Sequence, residues 1–182
     1  IEDGRVRTSS LCISPERTEA RYDKIHLFDV HVGDGVGGYQ ESKNFEPGTD
    51  VVMAKTPFGN IGLMVCYDLR FPELALTLRS QGANILTAPA AFTHTTGEMH
   101  WQLLLQARAM DSQCQVLGAA QQGWHGEKRQ TWGHAGATNS RGQILQITDQ
   151  EGTQLLTVPF DLAEQEAIRA SIPLMQHRKI IS

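Results

Sequence analysis

Gly62-Leu-Met-Val-Cys-Tyr-Asp-Leu-Arg-Phe-Pro-Glu73 is the stretch from which the rest of the chain can be read. An apolar run, Ile61 to Val65, ends at Cys66. Phe71-Pro72-Glu73 then places a proline and an acidic residue where the first turn of a helix favours them. The spacing predicts a buried strand that stops at Cys66, a sharp turn, and a helix over 72–81 with Leu74, Leu76 and Leu78 as apolar contacts and Gly82 as its stop. A thiol at such a turn lies near the N–H groups of a helix N-terminus, which lower its pKa and can stabilise an oxyanion. A free cysteine is also an ordinary small core residue. Spacing alone leaves both readings open.

Outside this stretch, composition sets bounds. With 182 residues, 40% of them hydrophobic, the chain can bury a substantial core as one domain. A formal net charge of −4 gives no basis for binding nucleic acid or an anionic membrane surface. No apolar run reaches transmembrane length. Cys12, Cys66 and Cys114 form no C-x-x-C pair, an odd and sparse set that fits free thiols in a reducing compartment, so the cytoplasm is expected.

Before the central stretch, residues 1–13 read as a turn and a strand, Ser14-Pro15-Glu16 as a hairpin turn, and Arg17 to Phe28 as a second strand with Tyr22, Lys24, His26 and Phe28 on one face. A lysine there reads first as a solvated edge charge. From Asp29 to Gly48 the chain is rich in glycine and polar residues, a long loop of the functional kind. Its run 33–38 lacks the Lys-Ser/Thr of a phosphate-binding loop, and no helical pattern follows it. A strand over 50–56 and a turn over 57–60 lead into the nucleophile strand. Asp68 and Arg70 are expected to hold the turn through charge-assisted hydrogen bonds.

After the helix, Asn84 to Phe92 reads as a buried strand, Glu98 to Ser112 as a helix and Gln113 to Gln121 as a strand containing a core Cys114. Residues 123–134 are polar and turn-rich. Residues 134–139 and 142–148 form a hairpin turned at Ser140-Arg141, 154–159 a last strand, and 162–172 a helix capped by Asp161 and ended by Pro173. The alternation of strand, helix and strand indicates a layered α/β fold. The seven histidines are scattered without a ligand motif, so no metal is expected.

The run 62–73, taken with Tyr22-Asp-Lys-Ile-His-Leu-Phe28, resembles the cysteine and lysine motifs of the nitrilase (carbon-nitrogen hydrolase) superfamily. The resemblance extends over nearly the whole chain. It implies a four-layer α-β-β-α sandwich and a cysteine hydrolase with a Glu-Lys-Cys catalytic set. Within it, Cys66 is the nucleophile, Lys24 the catalytic lysine and the N–H of Tyr67 an oxyanion donor beside the Lys24 ammonium. Glu41, in Tyr39-Gln40-Glu41-Ser42, matches the second glutamate of the amidase branch, which holds the lysine and substrate. The first strands and the general-base glutamate of the family have no counterpart here. Residues 1–182 are therefore expected to be the C-terminal two thirds of a single carbon-nitrogen hydrolase domain in a longer protein.

The segments 96–101, 106–110, 119–129 and 133–134, with Gln176-His-Arg178, are most similar to the deaminated glutathione amidase branch. That implies hydrolysis of an amide between a 2-oxoglutaryl-type acid and cysteinylglycine, with no cofactor and a homodimer or higher homo-oligomer in which the tail 175–179 packs on a partner subunit. An omega-amidase, a carbamoyl hydrolase or a non-catalytic homologue acting as an interaction protein are the alternatives. No particular substrate-binding residue is singled out.

Overall fold

The computed structural model describes residues 4–35, 37–149 and 152–180; residues 1–3 of the expected first turn and Val36 of the glycine-rich run lie outside them. A six-stranded sheet organises the chain, with strand order β12-β11-β8-β7-β6-β5. Its centre is parallel: β6 (Gly59–Leu63) beside β7 (Ile85–Thr87), and β7 beside β8 (Gln115–Gly118). Antiparallel strands complete it, β5 (Met53–Thr56) on one side, β11 (Gly136–Thr138) and β12 (Ile144–Ile147) on the other.

The two parallel crossovers are α1 (Pro72–Ser80) and α2 (His94–Ser112). Both pack on one face. A Cβ on Gly62 would lie 2.7 Å from Leu86 and 3.0 Å from Leu78 of α1, and one on Gly118 would lie 2.7 Å from Trp101 and 2.9 Å from Leu105 of α2. Leu78, Leu86 and Leu105 are fully buried in this seam, and truncation of any one to alanine costs about 2–5 kcal/mol. Pro72 at the start of α1 and Gly82 beyond its end, at φ +102°, set its bounds as the sequence predicts.

Several elements depart from expectation. Helix α2 begins at His94 rather than Glu98, because the Thr93 hydroxyl caps it by accepting from the N–H of Thr96. The polar segment after β8 is a hairpin, β9 (Gln122–His125) with β10 (Arg129–Trp132). The expected strand over 154–159 does not form. No strand among the described residues exchanges backbone hydrogen bonds with it, and the carbonyl of Pro159 accepts from the side chain of Gln115 instead, at 3.1 Å. Helix α3 (Leu162–Ser171) carries the predicted Asp161 cap, and the tail forms a short α4 (Leu174–His177).

A second small sheet, β1 (Ser9–Ile13) with β2 (Thr18–Asp23), is turned at Ser14-Pro15-Glu16 as read from sequence. Strand β2 stops short of Lys24. Lys24 still donates its N–H to the carbonyl of Thr8 at 2.9 Å, and beyond it backbone donors turn to side chains: the N–H of His26 reaches the Asp68 carboxylate at 3.2 Å, and that of Phe28 reaches the Glu41 carboxylate at 2.6 Å. The long loop that follows contains a two-residue ladder, β3 (Asp29–Val30) with β4 (Tyr39–Gln40), before the 3-10 turn Glu41–Lys43.

Candidate active site

Cys66 stands at the C-terminal end of the central sheet, where open α/β sheets place their ligand crevices. Three residues past the end of β6, at Cys66, the chain turns sharply. Cys66 has φ +52°, a left-handed conformation uncommon for a residue with a Cβ. The turn is fixed by the N–H of Cys66 donating to the carbonyl of Pro89 at 2.9 Å, and Cys66–Arg70 then winds as a 3-10 turn. The N–H of Tyr67 has no acceptor among the described residues, which leaves it available to a ligand oxygen beside the thiol.

Lys24 and Glu41 meet at this elbow. Lys24 is 4% exposed, and its ammonium is hydrogen-bonded to the Glu41 carboxylate. Glu41 also accepts from the N–H of Phe28, so it is tied to the backbone that follows Lys24 as well as to the lysine itself. The ammonium acts on Cys66, drawing its pKa down, while Glu41 and Asp68 push it up. The first and largest influence is burial, which sets the net direction: the thiol is raised, and not lowered as the helix N-terminus argument predicts. A short 3-10 turn supplies little dipole, and the crowded surroundings disfavour the anion. At neutral pH the free site therefore holds a thiol that must give up its proton to react.

Asp68, with no exposed surface, fastens the lysine segment to the elbow. Its carboxylate accepts from the Tyr22 hydroxyl at 2.7 Å and from the N–H of Val65 at 2.8 Å, and lies 2.7 Å from Nδ1 of His26. Tyr22 and His26 flank Lys24 by two residues on either side, and Val65 precedes Cys66. Arg70 does not join this clamp as expected. Its guanidinium sits 5.4 Å from the Phe92 ring centre and 5.9 Å from that of Tyr67, and meets His100 at 3.3 Å. Sequence reading found Asp68 by charge, but nothing in the periodicity marked Tyr22 as its buried partner.

A cavity of about 830 Å³ opens over Cys66, within the usual range for small-molecule sites. Lys24, Glu41, Phe28 and Tyr39 form one wall, and the segments after β7 and β8, residues 89–93 and 119–121, form another. The backbone of Ala91, which also lines the cavity, favours the Cys66 thiolate, though less than burial disfavours it. The Tyr39 phenol donates to Asp34 at 2.6 Å and is pushed up to about 12, first by burial and then by that carboxylate.

A buried lysine held by a carboxylate beside a cysteine on a sharp strand-to-helix turn, at the mouth of a mixed sheet, defines an α/β protein built around that turn. The carbon-nitrogen hydrolase family model matches residues 2–170, and this chain belongs to that family. A deaminated glutathione amidase of Yersinia enterocolitica is 46% identical over 178 residues, covering 97% of this chain and 62% of the relative. The chain thus spans less than two thirds of that protein. Among solved structures, the NitFhit protein of C. elegans superposes with a TM-score of 0.86 at 36% identity, over 98% of this chain and 43% of its own. Nit3 of Saccharomyces cerevisiae, described as a member of branch 10 of the nitrilase superfamily, gives 0.85 at 28% identity, over 98% and 62%. The fold is the nitrilase fold of these structures.

Proposed function

We propose that this chain carries the nucleophile and the oxyanion site of an amidase that hydrolyses a small carbon-nitrogen substrate through a thioester. The observation that supports it most is the buried Lys24 ammonium, aimed by Glu41 and acting on Cys66 at the floor of the cavity. Residues 1–182 are read as one carbon-nitrogen hydrolase domain. The similarity to a deaminated glutathione amidase favours a 2-oxo-acid amide as substrate over those of an omega-amidase or a carbamoyl hydrolase.

In this reading the Cys66 thiol gives its proton to a carboxylate base, which the family resemblance assigns to a glutamate preceding these residues. Sγ attacks the amide carbonyl, and the oxyanion is held by the Lys24 ammonium and the Tyr67 N–H. Collapse of the adduct breaks the C–N bond, the amine leaves with the proton, and water then cleaves the thioester to release the acid and restore the thiol. Glu41 orients Lys24.

Three free cysteines support a reducing, cytoplasmic setting. Met99, Leu103 and Met110, exposed along one stripe of α2, support association with a second copy. A panel of linear amides tests the activity. The whole protein is expected to turn over a 2-oxo-acid amide, and Lys24→Met to lower kcat by about 100-fold or more. Near-full turnover by that variant would return Lys24 to a structural role, and inactivity of the unaltered protein on every amide would favour an interaction protein.

A further inference from the structure

One short segment, 41–48, holds Lys24 at both ends. Glu41 opens the segment and takes the lysine ammonium. Gly48 closes it and donates its N–H to the Lys24 carbonyl at 2.9 Å. Between the two, the chain folds back on Glu41, whose carbonyl accepts from the N–H groups of Asn44 and Phe45 at 3.1 and 3.0 Å. It then runs beside Val6, and the N–H of Glu46 donates to the Val6 carbonyl at 2.9 Å. The segment is a strap around the lysine.

Its closing grip works only without a side chain. Gly48 is buried, and a Cβ on it would overlap the carbonyl oxygen of Asp23, 2.8 Å from the Asp23 carbonyl carbon and 2.9 Å from its Cβ. The end of a flexible side chain could swing out of such a contact, whereas a peptide carbonyl moves only with its strand. Asp23 is held in place. It stands opposite Ser9 in the β1 and β2 ladder, and its carboxylate accepts from the Ser9 hydroxyl at 2.6 Å and from Nε of Arg21 at 2.8 Å. Tyr22 before it is fastened to Asp68, and the Lys24 N–H after it donates to Thr8. A methyl group at position 48 therefore displaces the strap and not the strand. The N–H at that position leaves the Lys24 carbonyl, and Glu41 at the other end is drawn off the ammonium.

We propose that Gly48 is a positioning residue for the reaction, acting through Lys24 and Glu41 by closing the strap that sets where the ammonium stands. This rests on the amidase reading above. Lys24, Glu41 and Phe45 line the cavity, whereas Gly48 does not, so it has no direct contact to offer a substrate. The ammonium is needed where negative charge develops on the carbonyl oxygen, so its misplacement falls on kcat more than on KM.

The experiment is a double-mutant cycle on the whole protein with a 2-oxo-acid amide. Gly48→Ala is expected to lower kcat by about 30-fold or more with KM changed less than about threefold, since a misplacement of about 1 Å costs up to about 100-fold. With Lys24→Met already in place there is no ammonium left to misplace, and the same substitution should lower kcat by no more than about threefold. A merely structural glycine, whose loss thins the folded population, would cost both backgrounds alike. Arg7→Gln provides a second variant that introduces no clash. Arg7 joins Glu46 of the strap at 2.9 Å to Asp23 of the strand at 3.3 Å, and its partly exposed side chain contributes little to stability. It should lower kcat by about threefold or more in the parent and leave the Lys24→Met protein unchanged, and it decides the matter by itself if Gly48→Ala does not fold. Losses that agree within about twofold in the two backgrounds, or a kcat that the deciding variant leaves within about twofold of the parent, overturn the inference and leave the amidase reading standing. If the unaltered protein hydrolyses no amide, the amidase reading fails and this inference fails with it.

Discussion

The Asp68 carboxylate accepts the Tyr22 hydroxyl at 2.7 Å, and through this contact the strand that delivers Lys24 is fastened to the turn that carries Cys66. Both side chains are fully buried. Burial first, and then Asp68, raise the Tyr22 phenol above its ordinary range, which favours the protonated donor. The placement of Lys24 relative to Cys66 thus depends on a contact between residues 46 positions apart in sequence.

Tyr22→Phe removes one donor and leaves the Asp68 oxygen with the Val65 N–H, so a loss of about 1–2 kcal/mol is expected in urea unfolding. Asp68→Asn sets an amide N–H₂ against donors from Tyr22, Val65 or His26. The expected loss is larger, about 2–4 kcal/mol, with a fall in turnover beyond it. An Asp68→Asn protein as stable as the parent would show that the clamp is not what holds the elbow.

The opposing influences on Cys66 predict opposite responses. Lys24→Met removes the ammonium that lowers the thiol, so the pH midpoint for alkylation of Cys66 by iodoacetamide should move up. Glu41→Gln removes a charge that raises it, so the midpoint should move down. Midpoints that shift in the same direction would contradict the arrangement.

Burial pushes the thiols of both Cys66 and Cys114 up. In the unfolded chain a thiol ionises near about 8.5, whereas the folded ones ionise only at higher pH. Each thiol therefore contributes stability below that pH, and the contribution is lost as pH rises through the folded values. The unfolding free energy should fall as pH climbs above about 8.5, and Cys114→Ala should flatten that fall. An identical pH slope in the variant would count against a raised Cys114.

Gly97 in α2 is required by contact. A Cβ there would stand 2.2 Å from the Cβ of Trp132, which belongs to β10. Gly97→Ala is expected to destabilise by about 1–3 kcal/mol, despite the better helix propensity of alanine. Thermal unfolding decides it: a higher midpoint would mean that α2 and the hairpin move apart freely.

Much of this arrangement was legible in the sequence, for identifiable reasons. The apolar run before Cys66, Pro72 at the helix start and Gly82 at its stop are local signals, and the crossover they predict is present. The proximity of Glu41 to Lys24 came from a motif resemblance, and the two do meet. What local pattern could not carry were effects that depend on neighbours. The strand expected to run to Phe28 ends near Lys24, because Asp68 and Glu41 take the N–H groups of His26 and Phe28. Residues 154–159 read as a strand but exchange no ladder hydrogen bonds with a strand among the described residues. The Cys66 thiol is raised because crowding outweighs a short helical turn. Arg129 carried no positional signal before the hairpin brought it to the rim.

The central claim, that Cys66 is acylated in turnover, is tested most directly by acid-quenching the whole protein during hydrolysis of a 2-oxo-acid amide and mapping the added mass by peptide mass spectrometry. The account predicts the acyl mass on the peptide containing Cys66 and on neither Cys12 nor Cys114, with adduct and turnover both abolished in Cys66→Ala. Turnover that persists in Cys66→Ala, with no acyl group on any cysteine, would contradict it.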